Sequence, residues 1–200
     1  MAITINGTTG ITTPGVVNSG TETIASTLAV TGAITGSGLS TTLYPLVQST
    51  NQATTSGSNI DFTAIPSWVK RITIMFNGVS MSNTNNVQVQ LGTGSTTYTT
   101  SGYANNFSIL GSSSVTTSSA TSGFVFMQLS LIAGVYSGQV VISNVTGNTW
   151  VESGLVGETS GSRIVSSVGS IALGAALTAV RITSVSTDTF DAGSINILYE

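Results

Sequence analysis

Ile60–Leu91 reads IDFTAIPSWVKRITIMFNGVSMSNTNNVQVQL, and the reading of this stretch decides the fold. Ile72, Ile74 and Phe76 alternate with Arg71, Thr73 and Met75, the period of two expected of a strand with one buried face. After the Gly-, Ser- and Asn-rich segment Asn77–Asn86, expected to be a loop, Val87, Val89 and Leu91 alternate with Gln88 and Gln90. The stretch therefore predicts two strands joined by a polar turn. It also gathers scarce residues. Pro66, Trp68 and two of the four basic side chains, Lys70 and Arg71, lie inside it, and Pro45 lies just upstream.

Downstream, similar signals recur every ten to fifteen residues or so. Gly92–Asn106 is polar and carries Tyr98 and Tyr103, Phe107–Leu110 reads as a short strand, and the Ser/Thr run Ser112–Ser122 reads as an exposed loop. Phe124–Leu131 is apolar at nearly every position, as expected of a central strand covered on both faces. Tyr136–Val145, Thr149–Val156, Ile164–Leu173 and Leu177–Val185 follow as strands, with Val140, Ile142, Val180 and Ile182 inward and Arg181 and Thr183 outward. Ile195, Ile197 and Tyr199 close the chain. Eight to ten or so strands with short turns and no helical period predict an all-β domain, an antiparallel β-sandwich of jelly-roll type, over residues 60–200.

Upstream the pattern thins. Residues 1–45 form an expected arm in which short apolar pairs are separated by Asn-Gly, Thr-Gly, Pro-Gly and Ser-Gly, dipeptides that punctuate turns. Such thin strands cannot cover their own apolar side chains. Three copies wound about one axis could do so, with Ile3, Ile5, Ile11, Leu28, Val30 and Ile34 inward. Six buried side chains would contribute roughly 10 kcal/mol per chain before entropy is subtracted. The competing reading is a loose leader. Leu39–Ser49 reads as a connector able to form a helical turn or two, limited by Pro45, and residues 46–59 read as a polar linker.

Composition bounds the chemistry. The 200 residues include 23 Gly, no Cys and no His, and only 6% are charged, for a net charge of −3. About a third are Ser or Thr, and an ordinary domain is about 25% charged, so hydroxyls replace charges on the surface of a chain still apolar enough to fold. Four basic residues form no patch able to neutralise a run of phosphates, which argues against nucleic acid. Without Cys a disulfide framework and thiolate metal sites are excluded. Without His the commonest metal ligand and general base are missing. The first residues lack the basic and apolar regions of a secretory leader, and no apolar run reaches the 18 or so residues of a membrane helix. No cofactor is expected.

The remaining candidates for catalysis are few. Lys70 is the only lysine, and its place at a strand start suits a solvated charge better than a Ser–Lys pair. The carboxylate pairs Asp188/Asp191 and Glu152/Glu158 are the candidates for a glycosidase, and turn aspartates more often bond their own backbone. Asp61 with the turn aspartates lacks the spaced loop of a calcium site. The Gly-rich Gly92–Ser95 and Gly32–Gly38 lack the Gly-Lys-Ser/Thr ending of a phosphate loop. Tyr98, Tyr103 and Trp150 are candidates for a carbohydrate-stacking surface, against the simpler reading that isolated aromatics belong to the core.

Asp61-Phe62-Thr63, Ile65-Pro66-Ser67-Trp68-Val69-Lys70-Arg71-Ile72-Thr73 and Met75-Phe76-Asn77-Gly78-Val79-Ser80 resemble a module of the small β-structured fibre, appendage and capsid-decoration proteins of tailed bacteriophages. Thr9-Gly10-Ile11-Thr12-Thr13-Pro14-Gly15 and Leu28-Ala29-Val30-Thr31-Gly32 look like the short shaft or collar of such proteins. The resemblance implies a homotrimer held to other virion proteins by its arm, assembled in host cytoplasm and displayed on the particle, with no catalytic residues. It leaves two locations open, a short host-attachment fibre and a cement protein on the head. The arm departs from long-shafted fibres, because fully stretched it spans at most ~130 Å at ~3.3 Å per residue. A carbohydrate-binding module is the rival from another class, with host-surface glycan as its partner.

Overall fold

In a computed structural model the described residues are 46–127, 134–159 and 161–200. The chain divides into units Met1–Thr42 and Leu43–Glu200, and every described residue belongs to the second. These residues form strands and turns only. In chain order the strands are β1 (Val47–Gln48), β2 (Gln52–Ala53), β3 (Asn59–Phe62), β4 (Arg71–Met81) and β5 (Val87–Gly92). Then come β6 (Ala104–Leu110), β7 (Val115–Ala120), β8 (Phe124–Met127) and β9 (Tyr136–Thr146). The last four are β10 (Thr149–Glu158), β11 (Arg163–Ala172), β12 (Ala179–Ser184) and β13 (Phe190–Tyr199).

They pair antiparallel in two sheets. The larger runs β1-β13-β4-β9-β10-β11-β6-β7, with β2 also on the outer side of β13, and the smaller runs β3-β12-β5-β8. The inward rows meet in one core. Ile72, Ile74 and Phe76 of β4, Val140 and Ile142 of β9 and Ile195 and Ile197 of β13 belong to the same buried cluster as Val89 and Leu91 of β5, Phe124 and Phe126 of β8 and Val180 and Ile182 of β12. Phe76 and Phe126 stack across the two sheets at 4.5 Å. Each such side chain removed from water contributes about 1.5–3 kcal/mol, so the alternation legible in Ile72–Phe76 supplies much of the drive to fold.

Two polar devices hold the sheets in register. Asn105, buried on β6, donates through Nδ2 to the Val168 carbonyl on β11 at 3.2 Å and accepts from the Val125 N–H on β8 at 3.0 Å. One amide thus ties the larger sheet to the edge of the smaller. At the β9–β10 hairpin, Asn144 donates to the Gly147 and Thr149 carbonyls at 2.9 and 3.2 Å, closing the two-residue turn beside a β-bulge. Glycine is required where strands approach too closely for a Cβ. At Gly138 on β9, with φ +152°, a Cβ would lie 2.3 Å from the Leu155 carbonyl oxygen of β10. At Gly193, with φ +93°, it would lie 2.3 Å from the Gly78 oxygen, where β4 and β13 both bulge.

Several expectations change. Residues 46–59, read as a polar linker, carry β1 and β2, both paired with β13. Thr54 there is fully buried and donates to the Ala192 carbonyl at 2.7 Å. Within the expected connector Leu39–Ser49, Val47 and Gln48 are strand, not helical turn. The Asn77–Asn86 loop shrinks because β4 continues to Met81. The Ser/Thr run 112–122 forms β7, pairing with β6 along its whole length, because Thr suits an exposed strand as well as a loop. Phe124–Met127 is buried at every position as expected, yet β8 is an edge strand of the smaller sheet rather than a central one. Gln88 and Gln90, the polar positions of the β5 alternation, are also buried. Residues 128–131 of the expected Phe124–Leu131 strand lie outside the described residues.

Candidate interaction surface

The carboxylates do not assemble a reaction centre. Glu152 and Glu158 both point inward from β10, but six residues apart on one strand they stand ~20 Å apart at ~3.3 Å per residue. Glycoside hydrolysis uses carboxyl groups roughly 5–9.5 Å apart. Asp188 is engaged by Asn85, whose backbone N–H and Nδ2 donate to it at 3.0 and 2.9 Å, whereas Asp191 accepts from Ser80. Asp61 is held in a two-pronged pair with Arg181, Nε to Oδ1 and Nη2 to Oδ2 both at 2.7 Å. The guanidinium also lies 4.0 Å over the Tyr98 ring, and the bonds from Asp61 raise the Arg181 pKa further. Lys70 lies beside Asn144 at 3.5 Å on the exposed surface, as expected of a solvated end charge.

Glu152 is unusual. It is buried, its Oε1 accepts from the Ser167 hydroxyl at 2.5 Å, and its Oε2 has no hydrogen-bond partner among the described residues. Burial disfavours the charged form and raises its pKa to about 7, against a smaller lowering from Ser167. A carboxyl of this kind is protonated through much of the acid range and acts as a buried polar group of the core.

The aromatic residues picked out for carbohydrate stacking do not share a surface. Tyr103 is buried edge-on against Phe124 at 4.8 Å, and its hydroxyl accepts the Leu91 N–H at 2.8 Å. That burial pushes its pKa up to about 12. Trp150 is also in the core, with its indole N–H unpartnered among the described residues. Only Tyr98 is partly exposed, and its ring is already covered on one side by Arg181. Isolated aromatics here serve packing, so the stacking surface expected of these three residues is not formed. The arm positions Ile3, Ile5, Ile11, Leu28, Val30 and Ile34 lie outside the described residues.

What the sequence reading missed lies on the outer face of the larger sheet. Val151 and Leu155 on β10, Ile164 and Val168 on β11, Leu110 on β6 and Val115 on β7 are all exposed. Strand register sets them in rows. Val115, Leu110 and Ile164 stand side by side, Thr117, Ser108, Ser166, Leu155 and Gln139 form the next row, and Ser119, Asn106, Val168, Ser153 and Val141 the row after. Two shallow grooves cross the face. One of about 480 Å³ runs along Asn106, Ser108, Thr117, Ser119, Ser166 and Val168, and one of about 220 Å³ lies between Gln139, Val141, Ser153 and Leu155. The signal for this face was present in Trp150-Val151, Leu155-Val156 and Ile164-Val165, where apolar residues occupy both strand parities.

No protein-family model, no curated protein and no solved structure matches this chain. Among the described residues no helix is long and apolar enough to cross a membrane, and no three acidic, His or Cys side chains gather as a metal site would require.

Proposed function

We propose that this chain is a non-enzymatic structural protein of a virus-particle surface, a trimeric short appendage of a tailed bacteriophage, with residues 1–45 as its attachment and oligomerisation arm. The observation that carries the reading is the strand order. Counting β1 and β2 as one edge, eight strands fall into two four-stranded groups, β1/β2-β13-β4-β9 and β3-β12-β5-β8. Numbered in chain order, these are 1-8-3-6 and 2-7-4-5, an order that supports the double Greek key of a jelly roll. That architecture recurs in viral capsid and lectin domains. The remaining strands are two hairpin-like insertions, β6–β7 between the fourth and fifth strands and β10–β11 between the sixth and seventh. They extend one sheet sideways.

A fold by itself does not choose between a capsid-type and a lectin-type role. The buried positions of Tyr103 and Trp150 weigh against the lectin-type role, since aromatic faces must be open to stack on a sugar. The resemblance at Asp61–Ser80 favours a place on a virion, and a sparsely charged, hydroxyl-rich chain suits a protein that packs against copies of itself. In this reading the partners are two sister chains and the virion protein that receives the arm, and the localisation is the particle. A cement protein on the head would use the same parts in a different place.

Native mass spectrometry of the full chain and of the chain lacking residues 1–40 tests the assembly. The expected result is a trimer with the arm and a weaker trimer or a monomer without it. A full-length chain that stays monomeric at micromolar concentration overturns the proposal, as does turnover of any sugar or ester by the purified protein.

A further inference from the structure

We infer that the outer face formed by β9, β10, β11, β6 and β7 is an interface that takes a second copy of this chain. This goes beyond assembly through the arm, because it gives the two-sheet head its own contact. Three observations support it.

The first is the apolar content. Val115 is 69% exposed, Leu155 and Val168 each 56%, and Ile164 47%, and register places them in adjoining rows rather than scattered. Monomeric proteins rarely leave contiguous apolar surface of more than a few hundred Å² uncovered. The second is size. Five strands of these lengths cover roughly 700 Å² at ~4.8 Å between strands and ~3.3 Å per residue, comparable with the ~800 Å² per partner of a stable interface.

The third observation identifies the occupant. No charged side chain stands on this face. Asp61 and Arg181 lie on the smaller sheet, Asp188 and Asp191 near the β12–β13 turn, and Glu152 and Glu158 point inward. Arg163 on β11 shares the inward parity of Val165 and stands opposite Glu158, Lys70 lies beside Asn144 at the end of β9, and Arg71 and Glu200 pair beyond β9, at the β4–β13 corner. A partner bringing carboxylates or ammonium groups would lose their hydration and find no counter-charge. A second copy brings none. It brings aliphatic rows and serine and threonine hydroxyls, each both donor and acceptor, so the face is complementary to itself. The side chains of Leu155 and Ile164 stand proud of the surface, and the two grooves beside them are open to receive such side chains from the other copy.

Because the chain has no cysteine, single-cysteine variants of the full protein read the contact directly. Ser166→Cys lies in the middle of the face and Thr187→Cys in the exposed turn before β13. Each is treated with a short bismaleimide at micromolar concentration. An arm-held oligomer raises the effective concentration for both sites alike, so their ratio reports on the face alone. Ser166→Cys is expected to give a covalent cross-linked dimer at least tenfold faster than Thr187→Cys. Adding Leu155→Lys and Val168→Lys to Ser166→Cys should bring the rate down to that of the control, with the thermal melt unchanged. Equal rates at the two sites overturn the inference, as does a rate that the two lysines leave untouched. Loss of the trimer on arm deletion, with the ratio preserved, would separate this contact from the arm's.

Discussion

The outer faces of the two sheets invert the usual rule. On the smaller sheet the outward row is polar yet largely closed off. Gln88 accepts from the Ser122 hydroxyl at 2.8 Å, Gln90 donates to the Ser122 carbonyl at 3.0 Å, and Thr183 donates to the Ser58 carbonyl at 3.1 Å. On the larger sheet, from β10 to β7, the outward rows set aliphatic side chains among serine and threonine and leave them open to solvent. Amides can be buried at little cost when each finds a partner within the chain. Exposed valines and leucines gain nothing until another surface covers them. The difference is that one face is completed inside the chain and the other is left open.

The largest expected effect breaks the join between these regions. Gly138→Ala puts a Cβ against the Leu155 carbonyl and Val156 Cα of β10, at 2.3 and 2.7 Å, so the strands must separate where the extension leaves the eight-stranded part. A cost of about 4 kcal/mol is expected from overpacking together with an unfavourable φ, measured by urea unfolding. A loss below about 1 kcal/mol would mean that the extension is held elsewhere, and the Asn105 clamp would become the first place to look.

The next effect tests the closed interior of the extension. Glu152 has a pKa of about 7 against an ordinary 4.5. A carboxyl with a raised folded-state pKa contributes stability that is fully present below the unfolded value and lost as pH rises through the folded one. Unfolding free energy should therefore fall between about pH 4.5 and 7, by about 3 kcal/mol if the whole shift is expressed. Glu152→Gln should remove that slope. An unchanged pH profile in the glutamine variant would show that the slope belongs to another group.

How far the sequence could be read follows from the same inversion. Ile72, Ile74 and Phe76 were legible because one face is core and the other is solvent, the condition that periodicity assumes. Val140/Ile142 were legible for the same reason, and Val180/Ile182 because their outward neighbours Arg181 and Thr183 are polar. Gln88 and Gln90 misled because glutamine reads as exposed, and the groups that satisfy them come from Ser122, 32 to 34 residues away. β7 misled because an unshielded Ser/Thr strand and a Ser/Thr loop have the same composition. Tyr103 and Trp150 were recognised as special, but only tertiary packing separates a stacking platform from a core aromatic. The open aliphatic face was passed over because Val151 and Leu155 were absorbed into strands whose other parity was already core.

A smaller effect sharpens the closed side of the comparison. Gln90→Leu removes the donor to the Ser122 carbonyl in a largely buried place and should cost about 1–2 kcal/mol. Arg181→Met removes a pair whose partners are partly solvated, at 26% and 31% exposure. About 0.5–1 kcal/mol is expected there, shrinking as salt is added. If the order of these two is reversed in denaturant titrations, charge rather than amide bonding closes the small sheet's outer face.

The smallest effect is the most discriminating for the open side. Val168→Thr keeps the shape of a β-branched side chain and exchanges a methyl for a hydroxyl on the exposed row. In an isolated head, where Val168 is more than half exposed, the change should alter stability by less than about 0.5 kcal/mol. Val156→Thr, the same exchange at a fully buried position of the neighbouring strand, should cost about 2 kcal/mol or more. The contrast depends on concentration if a second copy covers the face. Dilute protein should show the two variants far apart, whereas concentrated protein should bring Val168→Thr toward Val156→Thr, because the covered methyl then counts as buried. A Val168→Thr penalty that is small at every concentration would leave the aliphatic rows as plain solvent-facing surface.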